Sequence, residues 1–239
     1  MRLCLVTGAS LLIATLLLLS NLEAVAFDLS HYQDQFRRLE RPAATGMTEE
    51  ELLRVTREII AYLKGQRQDL DLVAEINNRE LPLFTRRERQ HMVDVRNLFA
   101  RGFQVRNGGL FLLGVLAVLG MIVDKGGRPL DNLIYILNRA GLAALLSIVA
   151  MGLVFSLGFD YWFDVFHFLS FDNDLWLLDP ARHNLIKMFP QAFFFNTTRK
   201  FVGRSLLQLV VLVGISGWYL RHKKGKVRDG LRAGPGRIP

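Results

Sequence analysis

Ala140 to Phe159 reads AGLAALLSIVAMGLVFSLGF, 20 residues in a row without a charge. At about 1.5 Å of rise per helical residue, such a run crosses the roughly 30 Å hydrocarbon core of a bilayer by itself. Three further apolar runs accompany it. Leu3 to Ser20 follows Arg2, Gly108 to Val123 precedes Asp124, and Ser205 to Leu220 runs up to Arg221. The second and fourth runs are short for a bilayer, a deficit that Arg106, Arg204 and Arg221 can make up by snorkelling. Gly109, Gly114, Gly120, Gly214 and Gly217 would let helices approach closely. The expected fold class is an all-α membrane protein with four transmembrane helices, at residues 1–26, 108–124, 140–159 and 205–220.

Of the 239 residues, 51% are hydrophobic and 22% charged, with a formal net charge of +8 and a mean hydropathy of +0.22. Apolar content this high excludes disorder, and the separation of charge from apolar runs excludes a soluble globular enzyme. Cys4 is the only cysteine, which excludes a disulfide scaffold. No apolar signal region precedes Cys4, so it is not a lipid attachment site either. The tail 221–239 holds seven bases against one acid, Asp229. Without zinc-ligand spacing or an aromatic-interleaved basic strand, the tail reads as a cytoplasmic anchor facing anionic lipid, not as a nucleic-acid site. Arg2 and the loop 125–139, with Lys125, Arg128 and Arg139, belong on the same side. Segments 27–107 and 160–204 then lie outside. Ala24-Val25-Ala26 reads like a signal-peptidase site, so the first run is either a cleaved signal or an uncleaved anchor; the sequence leaves both open.

The first outer segment is expected to be helical. Thr48 with Glu51 forms a capping box, followed by Leu52, Val55, Ile59, Ile60 and Leu63 at helical spacing and a stop at Gly65. A second helix is expected after Thr85, with Glu88 at the matching position, running through His91, Asp94 and Leu98. Leu70 to Phe84 reads as irregular, with Pro82 as a breaker. The second outer segment is aromatic: Phe159 to Phe201 holds 13 of the chain's 25 Phe, Tyr and Trp residues. Interleaved Asp160, Asp164, Asp172, Asp174, Asp179, His167 and His183 suit a cap at the headgroup level, half in lipid and half in water.

No G-x-S-x-G elbow, Walker, Rossmann or H-E-x-x-H pattern occurs, and no serine or cysteine stands beside a histidine as a nucleophile. Histidine and carboxylate remain. His31 and His183 sit among polar neighbours and read as solvated, as do Arg86 and Arg87; His222 lies in the basic tail. His91 has Asp94 at i+3, a spacing that lets a carboxylate fix the imidazole tautomer. His167 has Asp164 three residues before it and apolar rings around it. Burial would lower its pKa, and a carboxylate would raise it. Either histidine can be a structural, hydrogen-bonded ring instead. A metal site built from His91, His167 and two aspartates is the rival chemistry, but no ligand pair has diagnostic spacing, and no metal is expected. Asn196-Thr197-Thr198 matches the short N-glycosylation pattern.

Glu88-Arg89-Gln90-His91-Met92-Val93-Asp94-Val95-Arg96 resembles the E-x-x-H-M-x-D-V-K/R signature of the bacterial lipoprotein intramolecular transacylases (Lit). Asn173-Asp174-Leu175-Trp176-Leu177-Leu178-Asp179-Pro180, then Leu185-Ile186-Lys187-Met188-Phe189-Pro190 and Phe193-Phe194, resembles a second motif of that family. The likeness extends over nearly the whole chain. It implies an enzyme of the bacterial cytoplasmic membrane, multi-pass and active on the extracytoplasmic face. Its substrate would be a lipoprotein whose N-terminal cysteine carries a diacylglyceryl thioether. The sn-2 acyl group would leave its glycerol oxygen for the cysteine α-amino group, giving a lyso-form lipoprotein. The family's two important histidines fall on His91 and His167. The chain departs from the pattern at His183, where aspartate is usual, and at Gln191, where glutamate is usual.

One imidazole can deprotonate the amine and then protonate the leaving glycerol oxygen, while the other polarises the carbonyl or binds the oxyanion. His167 is the expected base; the sequence does not order the two roles. Asp94, Arg96, Asp174, Trp176 and Asp179 are expected as orienting or substrate-binding residues. No cofactor, no nucleic acid and a monomer among membrane lipids complete the expectation. A lipid esterase or phospholipase using the same histidines, and a non-enzymatic membrane scaffold, are the alternatives.

Overall fold

The structure, a computed structural model, describes the backbone of residues 2–123 and 129–232, with the side chains of residues 6–116, 118–119 and 130–223. Asp124, Lys125 and Arg128 of the expected cytoplasmic loop lie outside the described residues, as does the end of the basic tail. In chain order the elements are α1 (Arg2–Ala26), α2 (Leu29–Arg38), α3 (Arg41–Thr45), α4 (Glu49–Leu63), β1 (Val73–Ile76), β2 (Arg79–Pro82), α5 (Arg86–Val123), α6 (Pro129–Ser156), α7 (Phe159–Ser170), α8 (Asn184–Met188) and α9 (Gln191–Arg232). They fall into two compact units. The first comprises Met1–Leu19, Gly108–Met151 and Gly203–Pro239, the second Ser20–Asn107 and Gly152–Val202.

The first unit is built from apolar helix. Among the described residues, Val6–Ala26, Leu130–Ser156 and Gln191–Lys223 are long and apolar enough to cross a membrane. Leu110, Phe111, Leu142, Leu146, Leu207, Val210 and Ile215 are exposed on the surface of these helices and of α5. That much uncovered aliphatic surface calls for an apolar solvent. Helices meet where side chains are smallest. A Cβ on Gly109 would come within 2.9 Å of Leu16, and one on Gly141 within 2.8 Å of Val213. A Cβ on Gly114 or Gly214 would meet nothing within 4 Å among the described residues, so those two of the expected small contact residues face none of the described helices. Asn138 adds polar glue, its amide donating to Ser216 Oγ at 2.9 Å and to the Val213 carbonyl at 3.2 Å.

The helix boundaries differ from those expected. The 140–159 run is broken near its end, because Gly158 at φ +154° stops α6 and lets α7 start at Phe159. Residues 191–204, expected in the interfacial cap, form the first turns of α9 after Pro190. Residues 86–107, the second helix expected in the outer segment, are continuous with the apolar run in α5.

The second unit has a true core, with Phe36, Leu52, Val55, Leu83, Met188 and Phe193 fully or almost fully buried. Thr48 caps α4, its Oγ1 accepting from the Glu51 N–H at 3.1 Å, and Gly65 ends it at φ +76°. The expectation of a purely α chain needs correcting here. Val73–Ile76 and Arg79–Pro82 pair antiparallel, Val73 opposite Pro82 and Ile76 opposite Arg79. Asn77 and Asn78 between them both take positive φ, 52° and 60°, as a two-residue hairpin turn requires. Pro82 is tolerated because it stands at the end of an edge strand, where its missing N–H breaks no ladder.

Glu88 closes this unit. It is fully buried. Its Oε2 accepts from Thr85 N–H at 2.7 Å and Thr85 Oγ1 at 2.8 Å, completing the expected cap on α5. Its Oε1 accepts from the Leu185 N–H, 97 positions away, at 2.7 Å. Asn184 supports the junction by donating to the Leu83 carbonyl at 2.8 Å. Glu88→Ala would strand the buried Leu185 N–H and remove the cap on Thr85 at the start of α5, so a loss of about 2 kcal/mol is expected. Thermal denaturation in detergent should show it as a lower midpoint; an unchanged midpoint would mean that Glu88 does not hold the unit together.

Candidate functional site

The α5 cap and the Glu88 junction fix the two faces of the site, both within the second unit. His91 lies one turn into α5. It is buried, and its Nδ1 is a buried polar atom with no hydrogen-bond partner. Phe171 lies edge-on to its ring at 5.2 Å, and the His167 ring centroid is 6.3 Å away. A buried imidazole nitrogen left open is costly unless something else fills its coordination.

His167 comes from α7. Its Nδ1 lies 2.7 Å from the Phe163 carbonyl oxygen one turn back. A carbonyl can only accept, so Nδ1 carries the proton and Nε2 presents its lone pair. Rings hold the imidazole in place: Trp176 stacks on it at 4.8 Å and 27°, and Phe163, Phe166 and Phe171 complete the enclosure.

Both histidines are pushed toward the neutral form. Burial lowers the His91 pKa from 6.5 to about 4, helped by the nearby His167 and opposed by Asp94. Burial also lowers that of His167, against the raising effects of the Phe163 carbonyl and Asp164. The pair therefore accommodates one proton far more readily than two.

The remaining expected residues divide. Trp176 lies directly against His167. Asp94 does not fix the His91 tautomer; its Oδ2 instead accepts from Asn173 Nδ2 at 2.9 Å and tethers the loop that carries Trp176. Asp174 lies in that loop, and Arg87, read from the sequence as solvated, grips its carbonyl oxygen and lies 3.4 Å from its carboxylate. Arg96 stands elsewhere, over the Tyr62 ring at 4.9 Å and bonded to the Gln68 carbonyl at 3.2 Å. Asp179 shapes its own turn: Oδ1 accepts from Ala181 N–H at 2.8 Å, and its backbone N–H donates to His183 Nδ1 at 2.8 Å. Arg87, Asn173 and the long-range role of Glu88 were not foreseen; only the Thr85–Glu88 spacing gave a local signal.

His31, also read as solvated, is buried. Its Nε2 lies 2.9 Å from Thr197 Oγ1, which donates to the Phe193 carbonyl and so accepts from the imidazole. Asn196 of the glycosylation pattern donates to Gln35 at 2.7 Å. Lys200 binds Asp28 at 2.7 Å, and these contacts hold the Asp28 carboxyl at about 2 against the opposing effect of its burial. No three His, Cys, Asp or Glu side chains gather as metal ligands among the described residues. Beside His167 opens a groove of about 390 Å³, lined by Phe163, Asp164, Trp176, Leu177, Leu178, Asp179, Ile186, Phe189 and Gln191.

The family model described as "Lipoprotein intramolecular transacylase Lit" matches residues 7–194. No curated protein matches the sequence. The structure is similar to that of the membrane-integral lipoprotein intramolecular transacylase Lit from Bacillus cereus, with 22% identity and a TM-score of 0.75 over 93% of this chain and 97% of that one. Two variants of the same protein give TM-scores of 0.72 at 20% identity. A histidine-to-arginine variant matches over 93% of both chains, and a histidine-to-alanine variant over 92% of this chain and 94% of the other. These likenesses show a shared fold.

His31, His91 and His167 have depressed pKa values and take up protons in the unfolded chain between pH 6.5 and 4.5, joined at the lower end by Glu49 and Glu51. The unfolded chain binds more protons than the folded one there, so stability should fall as the pH is lowered. His91 alone accounts for about 2 kcal/mol of that fall, the rest of the effect of its shift from 6.5 to about 4 coming at still lower pH. Melting midpoints across that range should decline for the natural chain and decline less for His91→Gln. Equal slopes would contradict the burial assigned to His91.

Proposed function

The chain belongs to the lipoprotein intramolecular transacylase family, Lit, and on that premise we propose that it moves the sn-2 acyl chain of a diacylglyceryl-cysteine lipoprotein onto the cysteine α-amino group by histidine acid–base catalysis. The observation that carries the proposal is the His91–His167 pair, two enclosed neutral imidazoles with ring centroids 6.3 Å apart. His167 is the base, because its Nδ1–H is committed to the Phe163 carbonyl and its Nε2 lone pair is left for a substrate proton. The amine nitrogen attacks the ester carbon and its proton goes to Nε2. The bond from the ester carbon to the glycerol oxygen then breaks, and Nε2 returns the proton to that oxygen. Atoms balance without water or an acyl-enzyme.

His91 carries the second role. Its unpartnered Nδ1, protonated in the appropriate neutral tautomer, donates to the oxyanion that forms on the carbonyl oxygen. Donor and acceptor belong to one molecule, so positioning replaces the entropy cost of a bimolecular encounter, an advantage worth effective molarities of about 10⁵ M or more. Trp176, Asp174 and Asp94 orient the site, the last two by holding the loop. The stretch Gly108–Val123 of α5 would be the fourth membrane span, beside the three apolar helices. Charge placement along the sequence supports a site on the outer face of the bacterial cytoplasmic membrane.

Purified protein in lipid with a synthetic diacylglyceryl-cysteine lipopeptide tests this. Tandem mass spectrometry should find an unchanged mass with one acyl chain moved to the amine, and His167→Gln should slow transfer by about 10² or more. Release of free fatty acid would establish a lipid esterase instead. An untouched substrate from folded protein would remove the catalytic reading. Because the base must be neutral and its pKa lies below 6.5, kcat should show an acid limb centred below that pH, beneath the limb near ~8 set by the substrate's own α-amino group; a profile with the substrate's limb alone would exclude the enclosed His167 as base.

A further inference from the structure

The groove beside His167 contains one group that acyl transfer itself does not use. Its walls are largely aromatic and aliphatic, and its two acids are Asp164 and Asp179. Asp179 is committed to its turn and to Arg182, 3.5 Å from its Oδ2. Asp164 is exposed and, among the described residues, makes no hydrogen bond or ion pair. It precedes His167 by three residues on α7, so both side chains leave the helix on one face, and its charge acts on the His167 imidazole. In a chain of net charge +8, an uncommitted carboxylate on the wall of an apolar groove complements a cation carried by an apolar body. The substrate of the proposed reaction has that form. An α-amino group titrates near ~8 and is ammonium at neutral pH, and here it is flanked by acyl chains.

We propose that this groove seats the lipid-modified amino terminus of the substrate, with Asp164 pairing with its α-ammonium group and so selecting a free amine. The inference rests on the transacylase reading above. Asp164 neither gains nor loses a proton. It holds the ammonium until that group gives one proton to the surrounding water; the neutral amine nitrogen then forms the new C–N bond, a second N–H proton passes to His167 Nε2, and that proton ends on the glycerol oxygen as the C–O bond breaks. The pairing makes Asp164 a substrate-binding residue that acts on affinity for the amine.

The test compares binding of two synthetic diacylglyceryl-cysteine lipopeptides, one with a free amine and one N-acetylated, to the full chain in lipid nanodiscs. Asp164→Asn should weaken the free-amine lipopeptide roughly tenfold, as loss of a charged pair implies. The N-acetyl lipopeptide should stay within about twofold of the natural chain, and Asp164→Glu should restore part of the preference. Equal loss for both lipopeptides would assign Asp164 to packing, and unchanged free-amine binding would remove it from recognition; either overturns the inference. Binding needs no turnover, so the two readings fail separately. A chain that prefers the amine yet transfers no acyl group contradicts only the transacylase reading. One that transfers it, with Asp164→Asn binding both lipopeptides normally, contradicts only this inference.

Discussion

A carboxylate with no access to water must be satisfied on every side or it unfolds what surrounds it. Glu88 meets that demand by accepting from the Thr85 backbone, the Thr85 hydroxyl and the Leu185 backbone. Two of these bonds are local and end the first turn of α5; the third crosses the chain. Through it the start of α5, which carries His91, is fastened to the segment that follows the Trp176 loop. The Arg87–Asp174 and Asp94–Asn173 contacts then fix that loop along the next turns of the same helix. The second unit's chemistry is hung from one buried anion.

The site has few polar groups, and the proposed reaction needs few. An acyl shift within one molecule requires no stored acyl group, so a serine or cysteine nucleophile would add nothing. It needs a base that stays neutral at ambient pH and a donor for a passing negative charge. Burial supplies the first at His167 and His91, and their mutual repulsion discourages double protonation. On the proposed reading, the rings packed about His167 limit the water that would turn transfer into hydrolysis.

What could be read from the sequence was local or periodic. Thr48 with Glu51, Thr85 with Glu88 and the stop at Gly65 are fixed by neighbours within a turn, and each holds in the fold. The Asn77-Asn78 turn was passed over because the strands it joins are four residues long and one contains Pro82. Arg87 and His31 looked solvated because their partners, Asp174 and Thr197, lie 87 and 166 positions away. Asp94 had the right spacing for His91, yet Asn173, invisible to helical periodicity, claims its carboxylate. Family resemblance singled out both histidines; only the fold brings their rings together.

The stacking of Trp176 on His167 has an optical consequence. A protonated imidazole against an indole quenches its emission, whereas a neutral one does so weakly. The chain has three tryptophans, and Trp218 has a histidine of its own, His222, with ring centroids 4.8 Å apart. With Trp218 replaced by Phe, the indole against His167 makes the residence of a proton on that ring visible as light, and the protein carries its own reporter of when this imidazole is charged.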